Sequence, residues 1–160
     1  MDSHSKAELA DEVYENAVCY ELDCGGCPQC VLTAVQDAVG LIEDQTIKAA
    51  HGLSGGGGLL GKGTCGALAG GLMALSVKRG RDRDQLYKGK YIKNFQKSRE
   101  LVEMFRNEFN GVTCEELQKY FTGKTYDMWD AEQYSQFDKD RGMNCAHAAG
   151  SVARWVIEML

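Results

Sequence analysis

No stretch of this 160-residue chain approaches the roughly 18 uninterrupted apolar residues of a membrane span; the longest candidate, Leu68 to Val77, is broken by glycines. A membrane role is therefore not expected. The first residues, MDSHSKAELADEVYENA, lack both a basic leader and an apolar run of signal-peptide length, which predicts a cytoplasmic chain. Excess positive charge is missing too. The net charge is -5 and the one basic cluster, Lys78 to Arg83, is interrupted by Asp82, so a phosphate backbone would be repelled and nucleic acid is excluded as a partner. Strand-like alternation, hairpin signals and internal repeats are absent. There is no Cys-x-x-Cys-His, so covalently attached haem is not indicated.

What the chain does have is cysteine. Seven among 160 residues exceed the needs of an ordinary cytosolic domain, yet 44% apolar residues can build a core without disulfide staples. An odd count leaves at least one thiol unpaired in any intramolecular disulfide scheme. The length fits one domain over residues 1–160.

Apolar spacing predicts an all-α orthogonal bundle of five to seven helices. Leu9, Val13 and Ala17 give a short amphipathic helix over Ala7 to Ala17, followed by a loop from Cys19 to Cys27. Pro28, the only proline, opens a second helix with Cys27 at its N-cap and Cys30 in its first turn. A helix over Glu43 to Ala50 leads into a glycine tract, Gly52 to Gly63, that reads as a loop with special backbone angles closing over Cys65. A central helix follows Cys65. Asp84 to Asn110 is one long or two broken helices, with Leu86, Tyr91, Phe95, Leu101, Val102, Phe105 and Phe109 as its apolar members. Thr113-Cys114-Glu115-Glu116 matches a capping box that puts Cys114 first in its helix. Thr122 to Met143 shows no clean period and reads as a surface connection with an aromatic patch at Tyr126, Trp129, Tyr134 and Phe137, the Trp129 region being more in keeping with core or a dimer contact than with a cofactor platform. Asn144 then caps a last helix that begins with Cys145.

Four cysteines distant in sequence, Cys27, Cys65, Cys114 and Cys145, thus each fall at a predicted helix start. Unpaired amides and the positive end of the helix dipole favour thiolate there. If the four starts converge they surround a pocket suited to a metal or iron–sulfur centre. A second, local cluster is Cys19-x4-Cys24-x2-Cys27-x2-Cys30, in which Cys24, Cys27 and Cys30 are redox candidates as dithiols or metal ligands. Gly56 to Lys62 imitates the start of a phosphate-binding loop but continues with Gly63 rather than Ser or Thr, and no strand precedes it, so a nucleotide site is rejected. Lys62 could place positive charge beside a thiolate. His51 and His147 stand alone, His147 being close enough to Cys145 to act as a supporting donor or substitute ligand.

The run Cys27-Pro28-Gln29-Cys30-Val31-Leu32, the block Gly63-Thr64-Cys65-Gly66-Ala67-Leu68-Ala69-Gly70-Gly71, then Gly111 to Leu117 and the isolated Cys145 resemble the C-GCAxxG-C-C family of redox-active proteins. That family is similar to part of split-Soret cytochrome c. The resemblance implies a mostly helical fold, a homodimer and a cysteine-held iron–sulfur centre, [2Fe–2S] or [4Fe–4S], with the family cysteines at Cys27, Cys65, Cys114 and Cys145. The apolar excess of the helix after Cys65 points to a dimer as well. Cys19, Cys24 and Cys30 depart from the family pattern. The expected function is an electron-transfer or reductase component that meets a redox partner protein. The alternatives are a metal-free thiol–disulfide oxidoreductase and a zinc-stabilised interaction module.

Overall fold

The computed structural model describes residues 3–160, so Met1 and Asp2, the first residues of the segment read as free of a signal peptide, lie outside it. The described chain is all-α. Its helices are α1 (Ser3–Asp23), α2 (Cys27–Val39), α3 (Asp44–Ala49), α4 (Gly66–Arg79), α5 (Ile92–Phe109), α6 (Cys114–Thr122), α7 (Ala131–Asp140) and α8 (Asn144–Met159). Among the described residues the sole β pairing is an isolated antiparallel bridge between Thr64 and Thr113. Among the described residues no helix is long and apolar enough to cross a membrane.

Eight helices exceed the expected five to seven, and α7 is the one that was not foreseen. It lies in the stretch read as a surface connection. Asp130 caps it by accepting from the Gln133 N–H, and Phe137 is its only buried side chain, so the helix carries no apolar period for a sequence reading to detect. Helix α1 also outruns its expected end at Ala17 and carries Cys19 on its surface, so the loop begins only at Cys24. The four-residue step Leu9, Val13, Ala17 continues to Glu21, which is buried. A carboxylate in an apolar register hid the last turn.

Helix α1 packs along α8, α8 also touches α2, α4 and α5, and α4 sits between α2 and α5. One apolar core joins them, centred on Val13, Leu32, Leu68, Leu75, Leu101, Phe105 and Val152. Burying each such side chain contributes roughly 1.5–3 kcal/mol, and with all seven cysteines free no disulfide supports the fold. The apolar excess of α4 is absorbed inside the chain, against α2, α5 and α8, so its composition by itself no longer argues for a dimer. Of the apolar residues expected on the fifth helix, Leu101, Phe105 and Phe109 are buried, whereas Leu86, which precedes the helix, and Phe95, in its first turn, are exposed.

Small residues set the closest approaches. A Cβ on Gly150 would stand 2.7 Å from the Tyr14 ring, and one on Gly70 would stand 2.7 Å from the Pro28 carbonyl oxygen. These contacts bring the middles of α1 and α8 together, and the starts of α2 and α4.

Candidate redox centre

Each of the four dispersed cysteines does sit at a helix start, with two shifts of one position. Gly26, in the left-handed region at φ 77°, precedes α2, so Cys27 is the first helical residue rather than the N-cap. Met143 is the boundary residue of α8, which places Asn144 first and Cys145 second. Cys65 is the N-cap of α4, and Cys114 opens α6 behind a complete Thr113–Glu116 capping box.

The glycine tract and the segment before α6 lock two of these starts together. The Cys65 N–H donates to the Val112 carbonyl at 2.8 Å, the Cys114 N–H to Gly63 at 3.1 Å and the Glu115 N–H to Gly61 at 2.9 Å. Gly56 is required by both its angle, φ 75°, and its space, since a Cβ would lie 2.9 Å from Cys114 Cβ. Gly66 does the same for the other pair: a Cβ there would meet Pro28 Cδ at 2.8 Å and Cys27 Cβ at 3.1 Å. The Cys-Gly-Ala-x-x-Gly block is thus a packing device that lets α2 and α4 approach at their thiol-bearing ends.

Cys27, Cys65, Cys114 and Cys145 all line one cavity of ≈ 80 Å³. The segment after α6 forms its roof through Met128, Tyr134, Phe137, Asp138 and Arg141. Trp129, otherwise exposed, ties this roof to the glycine tract by donating from Nε1 to the Gly58 carbonyl at 2.9 Å. Trp129 is therefore a tether and not core, while Tyr126 and Phe137 of the same patch are buried against each other.

The remaining cysteines are not brought to this cavity's walls. Cys19 and Cys24 are exposed, and Cys30 is buried with its thiol donating to the Gly25 carbonyl at 3.0 Å. The local four-cysteine cluster is split because α1 continues through Cys19, and the Cys30 thiol is spent on the Gly25 carbonyl and does not itself line the cavity. Lys62 pairs with Glu115 at 2.5 Å and does not line the cavity. His147 hydrogen-bonds Tyr14 at 2.8 Å and His51 is exposed; neither lines the cavity.

Three residues that the sequence reading passed over complete the walls: Glu21, Gln118 and Arg141. The Glu21 carboxylate is 2% exposed and receives Arg141 Nη1 at 2.9 Å. It also accepts from the Cys27 thiol at 3.8 Å. Gln118 is buried, donates to Cys114 Sγ at 3.6 Å and accepts from the Tyr126 N–H at 2.9 Å, joining a thiol to the roof.

Burial pushes the Cys27 and Cys65 thiols well above their ordinary range, with repulsion from Glu21 adding at Cys27 and from Cys145 and Cys114 at Cys65. The Ala67 and Leu68 amides pull the other way at Cys65. Cys145 is pushed up to about 11 by burial, held from rising further by the Arg141 guanidinium, and Cys114 is raised by burial against the Gln118 hydrogen bond. Without a cation the thiols therefore stay protonated at neutral pH. A soft metal displaces those protons and takes thiolates. Among the described residues no three His, Cys, Asp or Glu side chains already stand in metal-coordinating geometry. The donor set nevertheless suits an iron–sulfur group: four thiols on one cavity, amide donors at a helix start, and one guanidinium to offset negative charge.

A helical chain that gathers four thiols on one cavity belongs to the cysteine-centred class of proteins. This chain is a member of the C_GCAxxG_C_C family, described as "Putative redox-active protein", whose model matches residues 26–159. No curated protein and no solved structure matches it.

Proposed function

We propose that the cavity holds a cysteine-ligated iron–sulfur cluster and that the protein serves as an electron-transfer or reductase component. The observation that carries this reading is the meeting of Cys27, Cys65, Cys114 and Cys145, each from a different helix start, on the walls of one cavity. Those four thiolates would be the ligands. When bound, the cluster would supply one-electron storage at a potential set by its ligands and their surroundings. The chain's own part is to present thiolates, to aim the first-turn amides of α4 at Cys65, and to limit water with the roof from Met128 to Arg141. A homodimer working in the cytoplasm with a redox partner protein completes the reading.

The test is purification and reconstitution under strict exclusion of oxygen. Iron and acid-labile sulfide should be present in comparable amounts, with a brown colour that bleaches on adding dithionite. Cys65→Ser should lose most of both while keeping its helical circular dichroism, because a hydroxyl remains protonated where a thiol ionises. Cys19→Ser should retain both. A colourless protein that holds zinc or no metal would refute the cluster. Loss in Cys19→Ser with retention in Cys65→Ser would move the site to the N-terminal cysteines.

A further inference from the structure

Beside the four thiols the cavity holds a buried pair of opposite charges that the ligand set does not explain. Glu21 comes from the last turn of α1 and Arg141 from the residue that follows α7. Their side chains are 2% and 16% exposed, and both line the cavity. Glu21 Oε1 receives Arg141 Nη1 at 2.9 Å and the Cys27 thiol at 3.8 Å, whereas Oε2 is buried with no hydrogen-bond partner. Arg141 has a second counter-ion in Asp138, reached by Nε at 2.9 Å and Nη2 at 2.7 Å, and its positive charge acts on Cys145, which lines the same cavity.

A buried ion pair is a poor means of stabilising a fold, since desolvation offsets much of the attraction and apolar residues of similar volume often do as well. Nor does Arg141 need Glu21 for neutrality, because Asp138, 58% exposed, already supplies a carboxylate at the cavity rim. The arrangement does place a negative charge against Cys27 and a positive one against Cys145 where screening by water is weak.

We propose that the Glu21–Arg141 pair sets the reduction potential of the cysteine centre, Arg141 raising it through Cys145 and Glu21 lowering it through Cys27. This assignment rests on the reading of the cavity as a redox centre. Reduction adds one electron and therefore one negative charge to the site. A neighbouring cation favours the reduced state and a neighbouring anion the oxidised one. Neither residue is a ligand; both act through the cysteines beside them on the cavity wall.

The experiment compares midpoint potentials of the full chain, anaerobically reconstituted, in the native protein, Glu21→Gln, Arg141→Gln and the double variant. Electrons come from dithionite through mediator dyes, and iron and sulfide content is measured on the same samples. Glu21→Gln should shift the potential upward, Arg141→Gln downward, and the double variant should fall between them, near the native value. A merely structural pair would instead lower iron content in both single variants and shift neither potential in this opposed manner. Arg141→Gln leaves a carboxylate buried and alone, so Arg141→Lys provides a second arm: it keeps the charge and should hold the potential near native. Single variants that move in the same direction, or not at all, overturn the assignment, as does Arg141→Lys falling with Arg141→Gln. If the native chain takes up no reducible centre, the reading of the cavity fails first. If the native centre reduces reversibly and the variants match it, only the role of this pair fails.

Discussion

Cys65 and Cys114 are joined through the chain that precedes them: the amide of Cys65 is bonded to Val112 and the amide of Cys114 to Gly63, at 2.8 and 3.1 Å, around the single bridge of Thr64 with Thr113. Two helices that share little direct packing thereby start from one point. Their thiols reach the same cavity because the backbones before them are paired.

Gly66 controls the other approach, that of Cys27 to Cys65. Gly66→Ala forces a Cβ to 2.8 Å from Pro28 Cδ and 3.1 Å from Cys27 Cβ. Overpacking of this kind costs about 1–3 kcal/mol, and the separation of α2 from α4 should reduce iron uptake as well. Gly52→Ala meets nothing within 4 Å and is the control. Urea midpoints and iron content, measured together, check both; equal behaviour of the two variants would show that the close contact is unimportant.

The start of α6 depends on the Thr113–Glu116 capping box. Thr113→Ala should cost about 1 kcal/mol, within the 0.5–2 typical of lost caps. The Thr113 and Val112 amides, each 2.9 Å from Glu116 Oε2, hold its carboxyl below the usual glutamate range. A depressed value in the folded state means that the stabilisation is present above about pH 4.3, the ordinary glutamate value, and is lost as pH falls through the folded value. Denaturation followed from pH 6 to pH 3 should therefore show a smaller acid loss of stability in Glu116→Gln than in the native chain. Parallel curves would count against this role.

Thiol accessibility provides a third measurement. In the metal-free protein at pH 8, iodoacetamide followed by peptide mass mapping should label exposed Cys19 and Cys24 first. Buried Cys30 and Cys65 should react only in urea, since burial both shields them and raises their thiols. Early labelling of Cys65 would mean that the roof does not cover it.

That roof is tethered by Trp129 through its bond to the Gly58 carbonyl. Trp129→Phe keeps an aromatic ring and removes the donor, a net loss of roughly 0.5–1.5 kcal/mol borne by a segment with few buried side chains. Alkylation of Cys65 should quicken while the global urea midpoint changes little. An unchanged alkylation rate would show that other contacts hold the roof.

Local features were legible where one residue type does one job. The all-α class followed from apolar spacing, the start of α6 from its capping box, and the helix-start positions of Cys27, Cys65, Cys114 and Cys145 from proline, glycine and cap residues nearby. Helix α7 and the last turn of α1 were not legible. The first buries one side chain and the second buries a carboxylate, so neither shows an unbroken apolar period. Glu21 did have a signal, the four-residue step from Ala17, but nothing in the sequence says that Arg141 stands opposite it.

What the sequence determined by itself is where helices begin and which of those beginnings carry sulfur, because caps, turns and helical periods are short-range properties of the chain. Only the tertiary structure decided which sulfurs share a space. Cys24 and Cys30 flank Cys27 closely in sequence yet lie off the cavity wall, while Cys65, Cys114 and Cys145 join it from distant helices. Close approach of Gly66 to Pro28, of Gly150 to Tyr14 and of Gly56 to Cys114 makes that selection. Such contacts depend on which surfaces fit without a side chain between them, and this is a property of packed pairs of helices and loops rather than of any one segment.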